Sequence, residues 1–161
     1  MDIRVGFGFD VHQLRDGQDF VIGGVHIEHS KGAVGHSDAD VLIHAICDAM
    51  LGAANLRDIG THFPDSDGAY ENIDSSILLN NVNGLLVREG YSISNIDSTV
   101  CLEAPKIKPY IVEMQKHLAE IMKLDLSRIS IKATTGEKMG FIGREEGIAA
   151  YATVLIQKPS S

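Results

Sequence analysis

The sequence has no tryptophan, only two cysteines and 6% aromatic residues. Cys47 and Cys101 lack CxxC spacing, so we expect two reduced, buried thiols. No apolar run approaches the ~18 residues that a membrane-spanning helix needs. The first 14 residues have the pattern of a strand rather than that of a signal peptide. We therefore expect a cytoplasmic protein with no membrane partner.

Positive charge is also scarce. The 14 Lys and Arg residues are outnumbered by 22 Asp and Glu residues, and the net charge is -8. Nucleic-acid binding depends on clustered Lys and Arg, so this composition argues against a nucleic-acid partner. A small anionic ligand is still compatible, but an acidic protein would then need metal ions or helix N-termini to supply positive charge.

The 161 residues are 44% apolar, as is typical of a globular protein. No linker or repeat divides them, so we expect a single domain over 1–161. A chain of this size buries about 68–70% of its unfolded surface and needs no disulfide or metal merely to fold.

Hydrophobic periodicity predicts a mixture of strands and helices. Strands are predicted over 3–12, 19–27, 91–103, 129–134 and 147–157. Helices are predicted from Ser37 to about Ala54, over 74–89, and from Pro109 through Met122. Residues 19–27 are expected to form the hairpin partner of the first strand, and 55–72 to be irregular.

The last strand is apolar on both of its alternating faces, which is typical of a strand that is covered on both sides. Three helices can cover one face of a sheet, and a partner subunit is the economical source of a second layer. The expected fold class is therefore α+β, with a mixed four- to five-stranded sheet, helices packed on one face and the other face toward the core of an oligomer.

Three residues have the composition of a catalytic zinc site. Asp10 and His12 are two apart on a strand and share a face that otherwise carries glycines. His44 lies mid-helix at the edge of the apolar stripe, and either Asp40 or Asp48 could orient its ring. The Asp-His-His set leaves a fourth position open. The alternatives are an exposed Asp-His pair and a core histidine.

The segment before the helix could bind an anion. Ser37 is predicted to be the N-cap, with Asp40 at the N3 position of a capping box. His36 and Ser37 would then lie beside free N–H groups, which favour phosphate. Ordinary capping explains the same pattern.

Two further segments could be either functional loops or ordinary solvent-exposed loops. Composition favours a solvated loop over 58–67. The turn over 132–138 offers hydroxyl and backbone donors to phosphate, and Glu137 could hold a hard cation such as Mg²⁺. An ordinary polar turn is equally compatible, and the P-loop spacing is missing.

Six motifs, in order along nearly the whole chain, together resemble the 2-C-methyl-D-erythritol 2,4-cyclodiphosphate synthase family of non-mevalonate isoprenoid (terpenoid) biosynthesis. They are Gly8 to His12, His36 to His44, Asp58 to Asp67, Ala104 to Lys106, Lys132 to Lys138, and Gly140 to Gly147. Residues 68–100 match only in pattern. Gly136 stands where the family often has Thr or Asn, at a backbone contact.

The resemblance implies a homotrimer with active sites between subunits, so that the open sheet face lies toward the trimer core. It implies one zinc-type ion per subunit on Asp10, His12 and His44, and Mg²⁺ or Mn²⁺ on Glu137 and the substrate phosphates. His36 and Thr135 would stabilise the transition state. Phe9, Phe141, Arg144 and Glu146 would lie near the trimer axis, where an isoprenoid diphosphate would bind.

The remaining substrate contacts implied by the resemblance fall into two groups. The erythritol phosphate end would be held by Asp58, Ile59, Gly60, Phe63, Pro64, Asp65, Ser66 and Asp67. The cytidine diphosphate end would be held by Leu102, Glu103, Ala104, Pro105, Lys106, Ile107, Lys108, Ala133 and Thr134. The substrate-binding set also includes Asp10, His12, His36, Ser37, Thr135, Gly136, Glu137, Phe141 and Arg144.

The implied enzyme is a phosphorus–oxygen lyase. It converts 4-diphosphocytidyl-2-C-methyl-D-erythritol 2-phosphate to the 2,4-cyclodiphosphate and releases CMP, by metal-assisted intramolecular phosphoryl transfer. Two other classes stay open. A metal-dependent phosphohydrolase would use the same ligands to activate water, and a non-catalytic metal-stabilised oligomer would use them only for folding.

Overall fold

The computed structural model describes residues 1–35, 37–64 and 73–159. Its strands are β1 (Asp2–Asp16), β2 (Val21–Ile22), β3 (Val25–His26), β4 (Lys31–Val34), β5 (Ser92–Cys101), β6 (Ile129–Thr134) and β7 (Gly147–Lys158). Its helices are α1 (Val41–Ala53), α2 (Ile59–His62), α3 (Ser75–Arg88), α4 (Ile111–Met122) and α5 (Gly140–Gly143), with 3-10 turns at Lys108–Tyr110 and Leu126–Arg128. The three long helices that the sequence predicts are present.

Five strands form one mixed sheet in the order β4-β1-β7-β5-β6. β1 pairs antiparallel with β4 and β7, β5 pairs antiparallel with β7, and β5 pairs parallel with β6. The predicted α+β class with a mixed sheet is confirmed. The carboxyl ends of β5 and β6 meet at one edge of the sheet because these two strands are parallel.

The predicted hairpin between the first strand and residues 19–27 is wrong. β2 and β3 pair with each other in a separate two-stranded sheet, and the unpredicted β4 pairs with the end of β1. Gly23 and Gly24 have φ values of 58° and 74°, which permit a tight turn between the two short strands. Their N–H groups donate to the carboxylate of Asp40, and this contact ties the small hairpin to the start of α1.

The helices form one layer against the sheet. α1 packs along β1 and β7, α4 packs against β6, and α3 packs against α1 and α4. One row of β7 is buried beneath this layer: Ile148, Ala150, Ala152, Val154 and Ile156. Because α1 lies between the sheet and α3, it presents buried residues on nearly all sides.

The opposite face of the sheet is open in the single chain. The apolar row of β1 is 43–66% exposed: Ile3, Val5, Phe7, Phe9 and Val11. Tyr151 of β7 is 40% exposed and its ring lies 5.1 Å from that of Phe9. The expectation that β7 is covered on both faces is therefore not met within one chain. An exposed apolar row of this length is typical of a surface that binds another molecule.

No helix among the described residues is both long and apolar enough to cross a membrane.

Cys47 and Cys101 are free cysteines. Cys47 is buried as expected, and burial raises the pKa of its thiol. The same expectation is wrong for Cys101, which is only half-buried where it ends β5.

Candidate active site

Asp10, His12 and His44 converge as the sequence predicts. The alternation of β1 points Asp10 and His12 toward α1, and α1 presents His44 to them. Oδ2 of Asp10 lies 2.9 Å from Nε2 of His12 and 3.0 Å from Nδ1 of His44. The two ring nitrogens are 3.2 Å apart. These residues form a group that could hold a metal ion.

The donor chemistry of this triad fits a divalent cation. One carboxylate and two imidazoles are the donors typical of catalytic zinc sites. Nδ1 of His12 lies 3.1 Å from the carbonyl oxygen of Val34, and a carbonyl can only accept, so Nδ1 carries the proton and Nε2 presents its lone pair. Lone pairs crowded this closely around Asp10 need a proton or a cation between them.

Charge coupling within the triad shifts two pKa values. Burial would raise the pKa of Asp10, but hydrogen bonds and charge interactions with His12 and His44 outweigh it and hold the pKa at about 2. Burial would lower the pKa of His44, but the Asp10 carboxylate outweighs it and raises the pKa. Without metal, the triad therefore favours a proton on His44, which a bound cation would displace.

The outer nitrogen of His44 is held by two serines. Nε2 lies 3.0 Å from Oγ of Ser75 and 3.1 Å from Oγ of Ser37. Neither Asp40 nor Asp48 orients this ring, contrary to the hypothesis from helical spacing. Asp40 instead binds backbone N–H groups, and Asp48 accepts from the N–H of Ile59 at 2.8 Å.

The predicted start of α1 is also wrong. The helix begins at Val41, and its N-cap is Asp40, whose side chain accepts from the N–H of Ile43. Ser37 lies before this start, and its Oγ accepts from the N–H of Ala39 at 3.3 Å. A carboxylate rather than a bound anion therefore caps the helix. His36 lies outside the described residues.

A cavity of about 610 Å³ opens beside the triad. Its lining includes Ser37 and three predicted residues of the erythritol end, namely Ile59, Gly60 and Phe63. Asp58 caps α2 by accepting from the N–H of Thr61 at 2.9 Å, and its carboxylate has a lowered pKa because Thr61 donates to it. Pro64 follows Phe63 at the end of the described segment, and the predicted contacts Asp65, Ser66 and Asp67 lie outside it.

The residues predicted for the cytidine end line a second cavity of about 250 Å³. It forms where β5 and β6 end side by side. Its lining comprises Leu102, Glu103, Pro105, Lys106, Ile107, Lys108, Ala133, Thr134 and Thr135. Ala104, which precedes Pro105 in the same loop, is not part of this lining.

The turn after β6 is fastened to the loop after β5. The N–H of Gly136 donates to Oε2 of Glu103 at 2.9 Å. Within the turn, Oγ1 of Thr135 lies 3.3 Å from both Oε1 and the N–H of Glu137. A Cβ at residue 136 would lie 2.8 Å from the backbone nitrogen of Gly143, so this turn requires glycine where the family often has a larger residue.

The two cavities have no lining residue in common. Asp10 pairs with Ala150, Ala150 with Val100, and Val100 with Ala133. Asp10 and Ala133 therefore lie three strand spacings apart, roughly 14 Å along the sheet. Within one chain, the triad and the cavity predicted for the cytidine end are therefore separate sites.

Of the residues predicted near a trimer axis, Phe141 lies in α5 and Arg144 and Glu146 lie between α5 and β7. Phe141 is 43% exposed, and Arg144 makes a two-pronged ion pair with Glu146, with both nitrogen–oxygen distances at 3.0 Å. Phe9 belongs to the open apolar row of β1.

Sequence reasoning missed Ser75 and the role of Asp38. Ser75 lies in the stretch where the resemblance is only one of pattern, and a serine at a helix start normally indicates capping. Asp38 lies in the motif from His36 to His44, but its position there predicts no role for its carboxylate. Its carboxylate accepts from the hydroxyl and the N–H of Ser75.

Comparisons with known proteins identify a matching family and similar structures. The YgbB family model matches residues 3–157. A curated 2-C-methyl-D-erythritol 2,4-cyclodiphosphate synthase of Bacteroides fragilis is 63% identical over 158 residues, covering 98% of this chain and 99% of that protein. The CDP complex of IspF from Plasmodium falciparum has a TM-score of 0.86 at 33% identity, covering 98% of this chain and 97% of that one.

A larger protein contains a similar fold. The bifunctional IspDF of Campylobacter jejuni has a TM-score of 0.94 at 41% identity, covering 99% of this chain. This chain spans only 43% of that protein.

Proposed function

The chain belongs to the YgbB family, and on that premise we propose that it converts 4-diphosphocytidyl-2-C-methyl-D-erythritol 2-phosphate to 2-C-methyl-D-erythritol 2,4-cyclodiphosphate with release of CMP. It is then a lyase of isoprenoid biosynthesis, like its relative of the same name in B. fragilis. The observation that carries the proposal is the convergence of Asp10, His12 and His44 beside a cavity of about 610 Å³.

The reaction needs little acid–base chemistry from the protein. The substrate carries its own nucleophile, an ionised oxygen of the 2-phosphate. That oxygen attacks the β-phosphorus, the bond from this phosphorus to the CMP oxygen breaks, and the cyclic diphosphate closes. The main obstacle is the approach of two anions in a protein whose own net charge is -8, so charge neutralisation and positioning dominate.

We propose that Asp10, His12 and His44 hold a zinc-type ion and that Glu137 holds Mg²⁺ or Mn²⁺. Such ions neutralise phosphoryl oxygens and orient the reacting groups when they are bound. His12 and His44 act as neutral ligands, and Asp10 supplies the one negative charge of the triad. The hydroxyl of Thr135, and His36 by the family resemblance, donate to the charge that develops on the transferring phosphoryl group.

Each of the two cavities binds one end of the substrate in this proposal. Ile59, Gly60 and Phe63 line the space beside the triad and receive the erythritol phosphate end. The loop from Leu102 to Lys108 receives the cytidine end, and the CDP bound to the similar P. falciparum protein supports a cytidine-containing ligand. Asp58 and Pro64 to Asp67 complete the first subsite, and Ala104, Gly136, Phe141 and Arg144 complete the substrate contacts.

We propose that the active protein is a homotrimer. Roughly 14 Å along the sheet separates Asp10 from the cytidine pocket of the same chain, whereas a single diphosphate must contact both halves of the site. A neighbouring subunit that packs on the open apolar face of β1 and β7 supplies the missing half. An isoprenoid diphosphate near Phe141 and Arg144, and a cytoplasmic location, stay predictions.

The test is incubation with the cytidylated substrate and Mg²⁺, followed by phosphorus NMR. Cyclisation gives two coupled diphosphate resonances, and the released CMP is then the only product with a phosphomonoester signal. The attacking phosphate is tethered, and oriented intramolecular attack reaches effective molarities of roughly 10⁵–10⁸ M in good cases. We therefore expect ring closure to dominate hydrolysis by far.

The same spectrum separates the alternatives. A phosphohydrolase would release CMP but leave separate phosphomonoesters at positions 2 and 4. A metal-stabilised oligomer without activity would leave the substrate unchanged while a chelator lowered its melting temperature. Either result would replace the cyclase proposal.

A further inference from the structure

We propose that Ser75 and Asp38 are a positioning pair that fixes the tautomer of His44, so that Nδ1 rather than Nε2 of this histidine faces the metal site. The inference rests on the proposed metal centre and not on the proposed reaction. Neither residue contacts the cavity atoms that would ligate a cation, so both act through His44.

The pair is buried behind the histidine. Ser75 is the first residue of α3 and is fully buried. Its hydroxyl oxygen lies 3.0 Å from Nε2 of His44 and in hydrogen-bond contact with Oδ1 of Asp38. Its backbone N–H donates to Oδ2 of the same carboxylate at 2.9 Å. Both oxygens of Asp38 therefore accept from Ser75, and Oδ1 also accepts from the backbone N–H of Asp40 at 3.2 Å.

The direction of these hydrogen bonds follows from donor chemistry. An ionised carboxylate can only accept, so the single hydroxyl proton of Ser75 points to Asp38. The lone pairs of Oγ are then left for Nε2 of His44, which must carry a proton to bond with them. A neutral imidazole protonated at Nε2 presents its lone pair at Nδ1, the atom that lies 3.0 Å from Asp10.

Ser37 does not impose this direction. Its Oγ also lies 3.1 Å from Nε2 of His44, but no described contact ties its hydroxyl to a carboxylate, so its proton can rotate. Ser75 differs because Asp38 fixes it. The arrangement parallels His12, where the carbonyl of Val34 fixes the other ring. Outer partners of this kind typically account for a 10–100-fold difference in metal affinity.

Ser75→Ala is the first test, with Ser76→Ala as the matched control. Ser76 is the next residue of α3, and its Oγ lies 2.9 Å from Nε2 of another histidine, His117, away from the triad. Zinc affinity is measured on each full-length variant by competition with a chromophoric chelator. We expect Ser75→Ala to bind Zn²⁺ about 10–100-fold more weakly than the parent and Ser76→Ala to bind it as the parent does.

Long-range ¹H–¹⁵N NMR on histidine-labelled, metal-free Asp10→Ala protein reads the tautomer directly, at a pH where His44 is neutral. Asp10 is removed because its carboxylate, 3.0 Å from Nδ1 of His44, can only accept and would itself favour a proton on Nδ1 when no metal is bound. We expect the Nε2–H form in Asp10→Ala, and adding Asp38→Asn should shift His44 toward the Nδ1–H form. The amide nitrogen of the new side chain cannot accept from the N–H of Ser75, so we expect it to face the Ser75 hydroxyl and donate to it. The hydroxyl proton of Ser75 then turns toward Nε2 of His44. A purely structural role for the pair would not move this signal.

Two results would overturn the inference. One is an Nδ1–H tautomer in metal-free Asp10→Ala protein whose far-UV circular dichroism matches that of the parent. The other is Ser75→Ala and Asp38→Asn proteins that bind Zn²⁺ as tightly as Ser76→Ala. If the parent itself binds no Zn²⁺, the metal centre fails along with this inference, whereas cyclase activity is decided separately by phosphorus NMR.

Discussion

The backbone of Gly8 lies directly against that of Ala45. A Cβ at residue 8 would be 1.9 Å from the carbonyl oxygen of Ala45, closer than any real contact. Gly8 is two residues from Asp10, and Ala45 follows His44. The absence of a side chain at residue 8 therefore sets the distance between β1 and α1, and with it the distance between two members of the triad.

Gly8→Ala should weaken both the fold and the metal site. The added methyl group meets backbone, so the helix must move away, and overpacking of this kind costs about 1–3 kcal/mol of unfolding free energy. Zinc affinity should fall as well, because His44 moves with α1. The matched control is Gly52→Ala, where a Cβ meets nothing within 4 Å and should add up to ~1 kcal/mol of helix stability. Urea unfolding and chelator competition measure both quantities, and a Gly8→Ala protein with unchanged zinc affinity would contradict this coupling.

The strand period alone predicts Asp10 and His12 as neighbours, because side chains two apart on a strand share a face. The pattern does not show how α1 begins. Both Ser37 and Asp40 suit a local N-cap, and the choice depends on Gly23 and Gly24, whose N–H groups also need the Asp40 carboxylate. Contacts between distant segments of the chain decide such cases.

Ser75 is the clearest example of what the sequence could not supply. It is 31 residues from His44, and only the packing of α3 against α1 brings the two together. By contrast, the open face of the sheet was predictable in outline, since both apolar rows of β7 could not be covered by three helices. The structure adds that β1 turns its glycine row, not its apolar row, toward the helices.

The metal-free protein should be most stable in mildly acidic solution. The pKa of Asp10 falls from 3.8 to about 2 on folding, so its contribution is present above about pH 4 and is lost as the pH falls toward 2. The pKa of His44 is raised above 6.5, so its contribution is complete below that pH and is lost as the pH rises through the folded value. The Asp10 shift corresponds to on the order of 2 kcal/mol.

Urea unfolding of metal-free protein at about pH 3, 5.5 and 8 measures this dependence. Asp10→Asn should reduce the loss of stability at both low and high pH. The Asp10 carboxylate is the group that titrates at low pH, and it also raises the pKa of His44. With saturating Zn²⁺ the maximum should move to higher pH, since the cation replaces the proton on His44. An Asp10→Asn profile with the parent's curvature would remove the triad as its cause.

Val5→Asp should dissociate the proposed trimer. Val5 is 66% exposed in the single chain and lies in the open apolar row of β1. A carboxylate buried there without a partner is strongly unfavourable. Val87→Asp is the matched control, because Val87 is 63% exposed on α3, in the layer opposite that row.

Light scattering should give about three times the chain mass of 17.4 kDa for the parent and for Val87→Asp. Val5→Asp should give a smaller mass, lose activity and keep the far-UV circular dichroism of the fold. An active monomer of the parent chain would refute both the interface and the shared active site.

Mixing two inactive variants tests whether the active site is built from two subunits. His44→Ala removes a ligand of the triad, and Thr135→Ala removes a hydroxyl from the cytidine side, where one donor to a developing oxyanion is typically worth ~10²–10³ in turnover. If each site combines the triad of one subunit with Thr135 of its neighbour, every mixed trimer has one intact site. Random assembly from equal amounts should then restore about a quarter of the parent activity. If both residues serve the same site within one chain, no mixture regains activity.

The variants are unfolded and refolded together, and each is also refolded alone as the control. If light scattering and mass spectrometry show mixed trimers but co-refolding restores no activity, the whole site lies within one subunit.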